Sequence, residues 1–424
     1  MVGVIYTHHI YFIVLSYMES IGIKEEVGVW ADGVAKDITF IVTKDCQLAC
    51  KYCYLVGKNS KERMTFDIAK QAVDYILSHE KDEMFSNKSV IWDFIGGEPF
   101  MEIDLIDSIC DYIKTEMYRL NHHWFGSYRF NFTTNGINYN DEKVQRFLEK
   151  NKTHAYVTIT IDGTEVKHDI NRIYKSGKGS YKDVVKNIPL WLKQYPHAGT
   201  KVTISTADIP YIKDSVLHLF NLGINEVNIN CVFENVWNDG DDLIFEEQLM
   251  LLADEIIDNK LYKTKYCSFF TEHLGKPMNP VIDNQNWCGA GNMLSIDAAG
   301  NFYPCTRFAQ YSLRDKKAWI IGNVKDGIDK NKIRPFLALD RCTQSKQECI
   351  DCEVAQGCAW CQGENYDAAE TPTLYQRATA ICKMHKARVR ANNYYWNKLY
   401  RKLELEGERE EFEKNRKKSN DIIC

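Results

Sequence analysis

From residue 38 onward, short apolar runs alternate with longer amphipathic stretches. Residues 38–42 read as a strand, a cysteine-bearing loop follows, and residues 65–78 read as a helix. Residues 89–95 (SVIWDFI) give a second strand that ends at Gly96-Gly97-Glu98-Pro99, with a helical stretch over 105–120 behind it. Residues 128–133, 155–161, 201–205 and 226–232 continue the strand series, and 181–194 and 214–222 are helical between them. Such repetition argues for a parallel sheet with crossover helices, in a partial or full barrel. Active sites in such folds gather at the C-terminal ends of the strands. After about residue 240 the rhythm breaks into a helical connector (244–261) and then a region rich in Gly, Pro and Cys, expected to be a second domain. Residues 387–418 are highly charged and helical in pattern, with Tyr394, Tyr395, Trp396, Leu399 and Tyr400 as an apolar stripe expected to pack in a core. The charges beyond Glu404 read as a solvated helix face.

Composition narrows the partners more than the fold. Hydrophobic residues make up 45% of the 424 and charged residues 26%, which suits a folded globular protein and not a disordered one. A net charge of -5 is small for this length, so neither nucleic acid nor an anionic membrane is expected as partner. Residues 1–23 are apolar in places, but His8, His9, Ser16, Glu19 and Ser20 interrupt them. No run reaches the roughly 18–20 residues that span a bilayer, and no basic n-region or small-residue cleavage site marks a signal peptide. A cytoplasmic protein is the expectation. Fifteen cysteines in a reducing compartment then point to metal or cluster ligation. Three crowd between 46 and 53, and eight lie between 288 and 382. Cys110, Cys231, Cys267 and Cys424 stand apart and read as small hydrophobic residues.

Cys46, Cys50 and Cys53 have the spacing C-x3-C-x2-C just after a strand. A four-iron cubane held by three cysteines keeps one iron open to another ligand. Structural zinc wants four ligands, and no nearby His or Cys supplies the fourth. With Tyr52 before the last cysteine, this segment resembles the signature of the radical S-adenosylmethionine (SAM) family. That resemblance implies a cluster whose open iron is chelated by SAM, and reductive cleavage of SAM to a 5′-deoxyadenosyl radical. It also implies a partial (β/α)6 TIM-type barrel over residues 38–240. Gly96, Gly97 and Glu98 resemble the family's GGEP element, where Glu98 would hold the methionine ammonium. Asn135, in Thr134-Asn135-Gly136, is similar to its TNG strand end, and Thr160, in Thr160-Ile161-Asp162-Gly163, to its SxDG element with Thr for Ser. Arg172 falls at the end of a segment like HDxxR and could pair with a carboxylate; a surface salt bridge is the plainer reading.

Downstream, Cys288, Gly300 and Cys305 fit C-x11-G-x4-C, and Cys349, Cys352, Cys358 and Cys361 fit C-x2-C-x5-C-x2-C before Cys382. Residues 288–386 thereby resemble the SPASM domain of peptide-modifying radical SAM enzymes, one residue short in the last spacing. Residues 1–37 and 241–287 are left as an N-terminal segment and a connector, and 387–424 as a charged C-terminal helix. The resemblance implies two auxiliary four-iron clusters, three in all. One would use Cys349, Cys352, Cys358 and Cys382, the other Cys288, Cys305 and Cys361. The fourth position of the latter falls to Cys342, to Cys267, or to a substrate thiolate. Two zinc-ribbon sites are the alternative.

Sulfatase maturases carry Asp directly after the GxxxxC cysteine, where this chain has Thr306. The stretch from Asp351 to Cys361, with Cys382-Lys383-Met384-His385-Lys386, resembles the sactipeptide and ranthipeptide maturases, the freyrasin maturase among them. That resemblance implies thioether links made in a Cys-containing precursor peptide guided by its leader, with an electron donor such as flavodoxin or ferredoxin. Residues 1–34 are short for a complete leader-recognition domain. Carbon–carbon crosslinking, sulfatase-type formylglycine formation, and a non-catalytic iron–sulfur or zinc scaffold are the competing readings.

Overall fold

In a computed structural model of the chain, residues 34–414 are described, apart from 59, 273, 280, 282, 285 and 287. Nearly all of the expected N-terminal segment, the leader-recognition element within it, the end of the C-terminal helix and Cys424 therefore lie outside the described residues.

Strands β1 (Ala35–Thr43), β2 (Ser89–Gly96), β3 (Tyr128–Thr134) and β4 (Ala155–Ile159) pair in parallel in that order. A parallel bridge between Thr160 and Lys201 passes the order on to β5 (Thr200–Ile204), which pairs with β6 (Glu226–Cys231). Crossovers run through α1 (Phe66–Ser78), α2 (Ile103–Arg119), α3 (Glu142–Lys150), α4 (Glu165–Asn171), α5 (Tyr181–Val185), α6 (Ile188–Gln194) and α7 (Ile212–Asn221). This is the partial α/β barrel that the strand–helix alternation predicts. Local chemistry sets the boundaries. Thr65 caps α1 by accepting from the Ile68 N–H at 3.3 Å. The helix expected over 181–194 is two helices, because Pro189 supplies no N–H to continue the ladder and instead occupies the first turn of α6.

Strands β3, β4 and β5 alternate in burial although they are parallel. On β3, Tyr128, Phe130 and Phe132 are buried, and Phe132 meets Phe94 and the helix residue Phe147 at 5.5 and 5.4 Å. Arg129, Asn131 and Thr133, on the other face, are half-buried. Lys201 Nζ donates to Thr133 Oγ1 at 3.2 Å, while burial pushes Asp93 on β2 up to about 6 against the pull of Lys201. The outer face is thus an apolar seat for helices, and the inner face is a polar lumen.

Both sheet edges continue beyond the barrel. The connector carries α8 (Asp241–Asp258) and a short β7 (Tyr266–Cys267) parallel to β6. At the opposite edge β8 (Leu294–Ile296) lies parallel to β1, and β9 (Asn301–Tyr303), β10 (Gly322–Asn323) and β11 (Gly327–Ile328) follow antiparallel. The segment expected to open a second domain therefore begins as an extension of the barrel sheet; its strands of two or three residues are too short to show a period. Short helices α9 (Lys330–Leu337), α10 (Arg341–Gln344), α11 (Gln347–Ile350) and α12 (Gln362–Ala368) lead to α13 (Cys382–Glu406), which ends at Gly407 in the left-handed conformation. Of its stripe, Tyr395 and Leu399 are buried, and Tyr395 stacks on Phe270 at 4.4 Å. Among the described residues no helix is long and apolar enough to cross a membrane.

Among the described residues one ion pair is wholly internal: Lys167 Nζ lies 2.8 Å from Asp208 Oδ2, with side chains 1% and 0% exposed. Asp208→Asn leaves the ammonium buried without its counter-charge, so a loss of about 3–5 kcal/mol is expected in chemical denaturation. Lys175→Ala, which breaks the exposed pair with Asp45, is expected to cost less than about 1 kcal/mol. Equal losses in the two variants would refute the assignment.

Candidate active site

Cys46, Cys50 and Cys53 lie on the loop leaving β1, which is tied to its neighbours by backbone hydrogen bonds. Ala49 N–H donates to Ile173 O at 2.7 Å and Lys51 N–H to Asn171 O at 3.0 Å. On the other side, Gly97 N–H donates to Thr43 O at 3.0 Å and Glu98 N–H to Asp45 O at 2.9 Å. A Cβ at Gly96 would stand 2.3 Å from Thr43 O, and one at Gly97 would stand 2.1 Å from Asp45 O and 2.9 Å from Cys46 Cβ. The two glycines therefore admit the cysteine loop itself.

Glu98 follows them, 1% exposed. Its Oε1 accepts from Thr134 Oγ1 at 2.7 Å and Phe100 N–H at 3.1 Å, and its Oε2 from Asn135 N–H at 2.8 Å. Burial pushes the carboxyl up, and these donors oppose it. The Asn135 side chain turns back to the loop, donating from Nδ2 to Gln47 Oε1 at 3.1 Å and to Cys46 Sγ at 3.8 Å. Thr160 sits at the next strand end, 8% exposed, its N–H donating to Thr134 O at 2.9 Å.

Beyond Cys50, the Tyr52 hydroxyl donates to Asp162 Oδ2 and accepts from Arg172 Nη1, the latter at 3.1 Å. Arg172 is 7% exposed, so the surface salt bridge is excluded, and its Nε is buried without a partner. Burial disfavours its charge, but Tyr52, Cys50 and Asp162 together hold it protonated. Asp162, 0% exposed, lies in the same strand-end segment as Thr160, and in the sequence only that place marks it.

The downstream cysteines fall into two groups. Cys288, Cys305 and Cys361 neighbour one another, while Cys349 neighbours Cys352 and Cys382, and Cys358 neighbours Cys349 and Cys382. Cys267 lies on β7 beside Arg388 and Tyr395, and Cys342 N–H donates to Asn284 Oδ1 at 2.8 Å. Arg307 links the barrel loop to this region: its guanidinium lies 4.9 Å over the Tyr54 ring and binds Glu234 at 3.0 Å and Glu364 at 2.9 Å. Tyr54 and these three charged residues are separated by up to 310 positions in sequence, so no local pattern points to them.

Burial, then Glu98, pushes the Cys46 thiol up to about 12; burial, then Cys361, does the same to Cys288. Such thiols become ligands only when a metal's charge removes the proton. Among the described residues no three cysteine sulfurs lie within 4.8 Å of one another. A single zinc, about 2.3 Å from each, would hold them about 3.8 Å apart. Three cysteines on one loop are a donor set that suits a four-iron core with one iron left open.

Residues 40–221 match the profile of the Radical SAM superfamily. This stretch is a radical SAM domain. The chain is 28% identical over 305 residues to uncharacterized protein MJ0907 of Methanocaldococcus jannaschii, covering 72% of this chain and 92% of that one. It is 24% identical over 342 residues to the radical SAM cyclopropyl synthase TigE of Paramaledivibacter caminithermalis, covering 76% and 67%. Among solved structures, anSMEcpe with bound AdoMet and Cp18Cys peptide superposes with a TM-score of 0.61 at 16% identity, over 87% of this chain and 98% of that one. Beyond this stretch the chain is similar to radical SAM enzymes that include two anaerobic sulfatase-maturating enzymes, and the matched superfamily implies SAM and a four-iron cluster.

Gly97→Ala is expected to abolish iron uptake at the first loop. Reconstituted anaerobically, it should bind no more iron than a chain with Cys46, Cys50 and Cys53 all changed to Ala. Wild-type iron content would show that the loop tolerates the added methyl group.

Proposed function

We propose that this chain matures a Cys-containing precursor peptide by radical SAM chemistry, joining cysteine sulfur to carbon in thioether crosslinks. The observation that carries the reading is the unequal division of the downstream cysteines. Cys349, Cys352, Cys358 and Cys382 make a full set of four ligands, while Cys288, Cys305 and Cys361 make three. A three-cysteine centre leaves a position for a substrate thiolate, the form in which a metal binds sulfur. Thr306 supports the same reading. It is 3% exposed, directly after Cys305, and its hydroxyl cannot serve as the carboxylate base that sulfatase maturation employs there. A peptide substrate is in keeping with the solved relative that binds AdoMet and the Cp18Cys peptide.

When bound, SAM and its four-iron cluster supply a carbon radical able to take hydrogen from the acceptor residue. The chain's residues fix the geometry around that event. Glu98 commits three of its four lone-pair sites to protein donors and keeps one for an ammonium group. Arg172, steadied by Tyr52 and Asp162, keeps Nε for a carboxylate. Asn135 orients Cys46. We assign the two downstream groups to auxiliary clusters and take a flavodoxin or ferredoxin as electron donor, in the cytoplasm.

Each link would join sulfur to carbon with loss of two hydrogen atoms. Co-expression with a Cys-containing precursor peptide, then alkylation and tandem mass spectrometry, tests this: modified cysteines should resist alkylation and fragment with their acceptor residue. If every precursor cysteine still alkylates while hydrogen is lost, the links are carbon–carbon and the thioether reading fails.

A further inference from the structure

The C-terminal four-cysteine group holds two buried cations with no carboxylate within ion-pair distance among the described residues; buried Asp283 acts on Arg341 only from farther away. Arg377, 6% exposed, aims Nη2 at Cys358 Sγ, 3.0 Å away, and Nη1 at Ser345 Oγ, 3.4 Å away. Its guanidinium lies 4.7 Å from the centre of the Trp360 ring. Arg341, 4% exposed, lies 5.4 Å from the same ring, donates through Nη2 to Ala355 O, and leaves Nε buried without a partner. Among the described residues neither guanidinium comes within 4.0 Å of an acidic oxygen; their partners are the sulfur, a hydroxyl, a carbonyl and an indole.

Two like charges sharing one ring in a buried place are strongly unfavourable unless an anion lies beside them. As metal-bound thiolates the neighbouring cysteines would supply the missing charge, the nearest of them, Cys358 Sγ, lying 3.0 Å from Arg377 Nη2. Four thiolates outweigh the positive charge of an iron–sulfur core, so the loaded centre is an anion.

We propose that Arg377, together with Arg341 across Trp360, is the counter-cation of an iron–sulfur centre on Cys349, Cys352, Cys358 and Cys382, and raises its reduction potential. The proposal rests on the reading that these four cysteines hold such a centre. Gaining an electron makes the centre more negative, and a fixed cation with an N–H aimed at a ligating sulfur stabilises that reduced state. Trp360 acts as the platform that keeps both guanidinium planes in place. Arg377 is therefore a positioning and tuning residue.

The test uses the full chain with Cys46, Cys50 and Cys53 changed to Ala, reconstituted anaerobically with iron and sulfide, so that only the downstream centres report. Metal content and an EPR-monitored redox titration are compared before and after adding Arg377→Gln, Arg377→Lys or Arg341→Gln. Arg377→Gln should lower one midpoint so that the oxidised-to-reduced ratio at fixed potential changes at least tenfold, about 59 mV for a one-electron couple. Arg377→Lys should recover more than half of that shift, and Arg341→Gln should give a smaller shift of the same sign. Unmoved potentials at full iron content in both Gln variants overturn the counter-cation role and leave the iron–sulfur reading intact. If Arg377→Gln does not fold, Arg341→Gln decides alone by the same criterion. Zinc in place of iron at these four cysteines, seen by metal analysis and X-ray absorption, overturns both.

Discussion

The cysteine loop can lie against the end of β2 only because two consecutive residues there have no side chain. Thr43 O and Asp45 O approach Gly96 and Gly97 so closely that a methyl group at either position would sit inside the carbonyl oxygens' contact distance. From this approach the rest of the site follows in order. The backbone of Glu98 docks on Asp45, its carboxylate is then fixed by Thr134, Asn135 and Phe100, and Asn135 reaches back to Cys46. Three strand ends are thereby locked to one loop by a chain of contacts in which each partner is placed by the one before.

Much of this was legible in the sequence because it is local. The strand series, the caps and the motifs at strand ends are each written within ten or so residues, where periodicity and turn chemistry act directly. The alternating pattern of β3 and β5 would ordinarily suggest an antiparallel sheet with one wet face; it belongs here to parallel strands whose inner face lines a polar lumen. The connections hidden from the sequence are those that depend on distant partners. Arg307 gives no sign of Tyr54 or Glu364, and Arg172 shows its burial only once Tyr52 and Asp162 are folded around it. Strands as short as β10 and β11 carry too few residues for any period, so the continuation of the sheet past β1 had no local signal.

A common electrostatic theme runs through the cysteine groups. Each has a buried guanidinium nearby: Arg172 at Cys50, Arg307 at Cys361, and Arg377 at Cys358. Each cation is also placed against an aromatic ring or phenol, Tyr52, Tyr54 and Trp360 in turn. Arginine suits this role because it stays charged when buried and offers a flat face and several N–H groups at once. Each of the three groups of cysteines thus has a buried cation set beside it.

The placement of β1 between β2 and β8 also governs the order in which the molecule can be assembled. Its partner on one side lies about 50 residues downstream, while the other, Leu294–Ile296, lies more than 250 residues away. As the chain leaves the ribosome, one edge of β1 stays without hydrogen-bonding partners until most of the protein has been made, a long-range closure that slows folding and leaves an edge open to wrong pairing. The first cysteine loop hangs from that strand, so its final shelter is completed only when the start of the second cysteine region arrives. Synthesis thereby couples the two: the strand that carries the first loop is paired on both edges only in a chain long enough to supply β8.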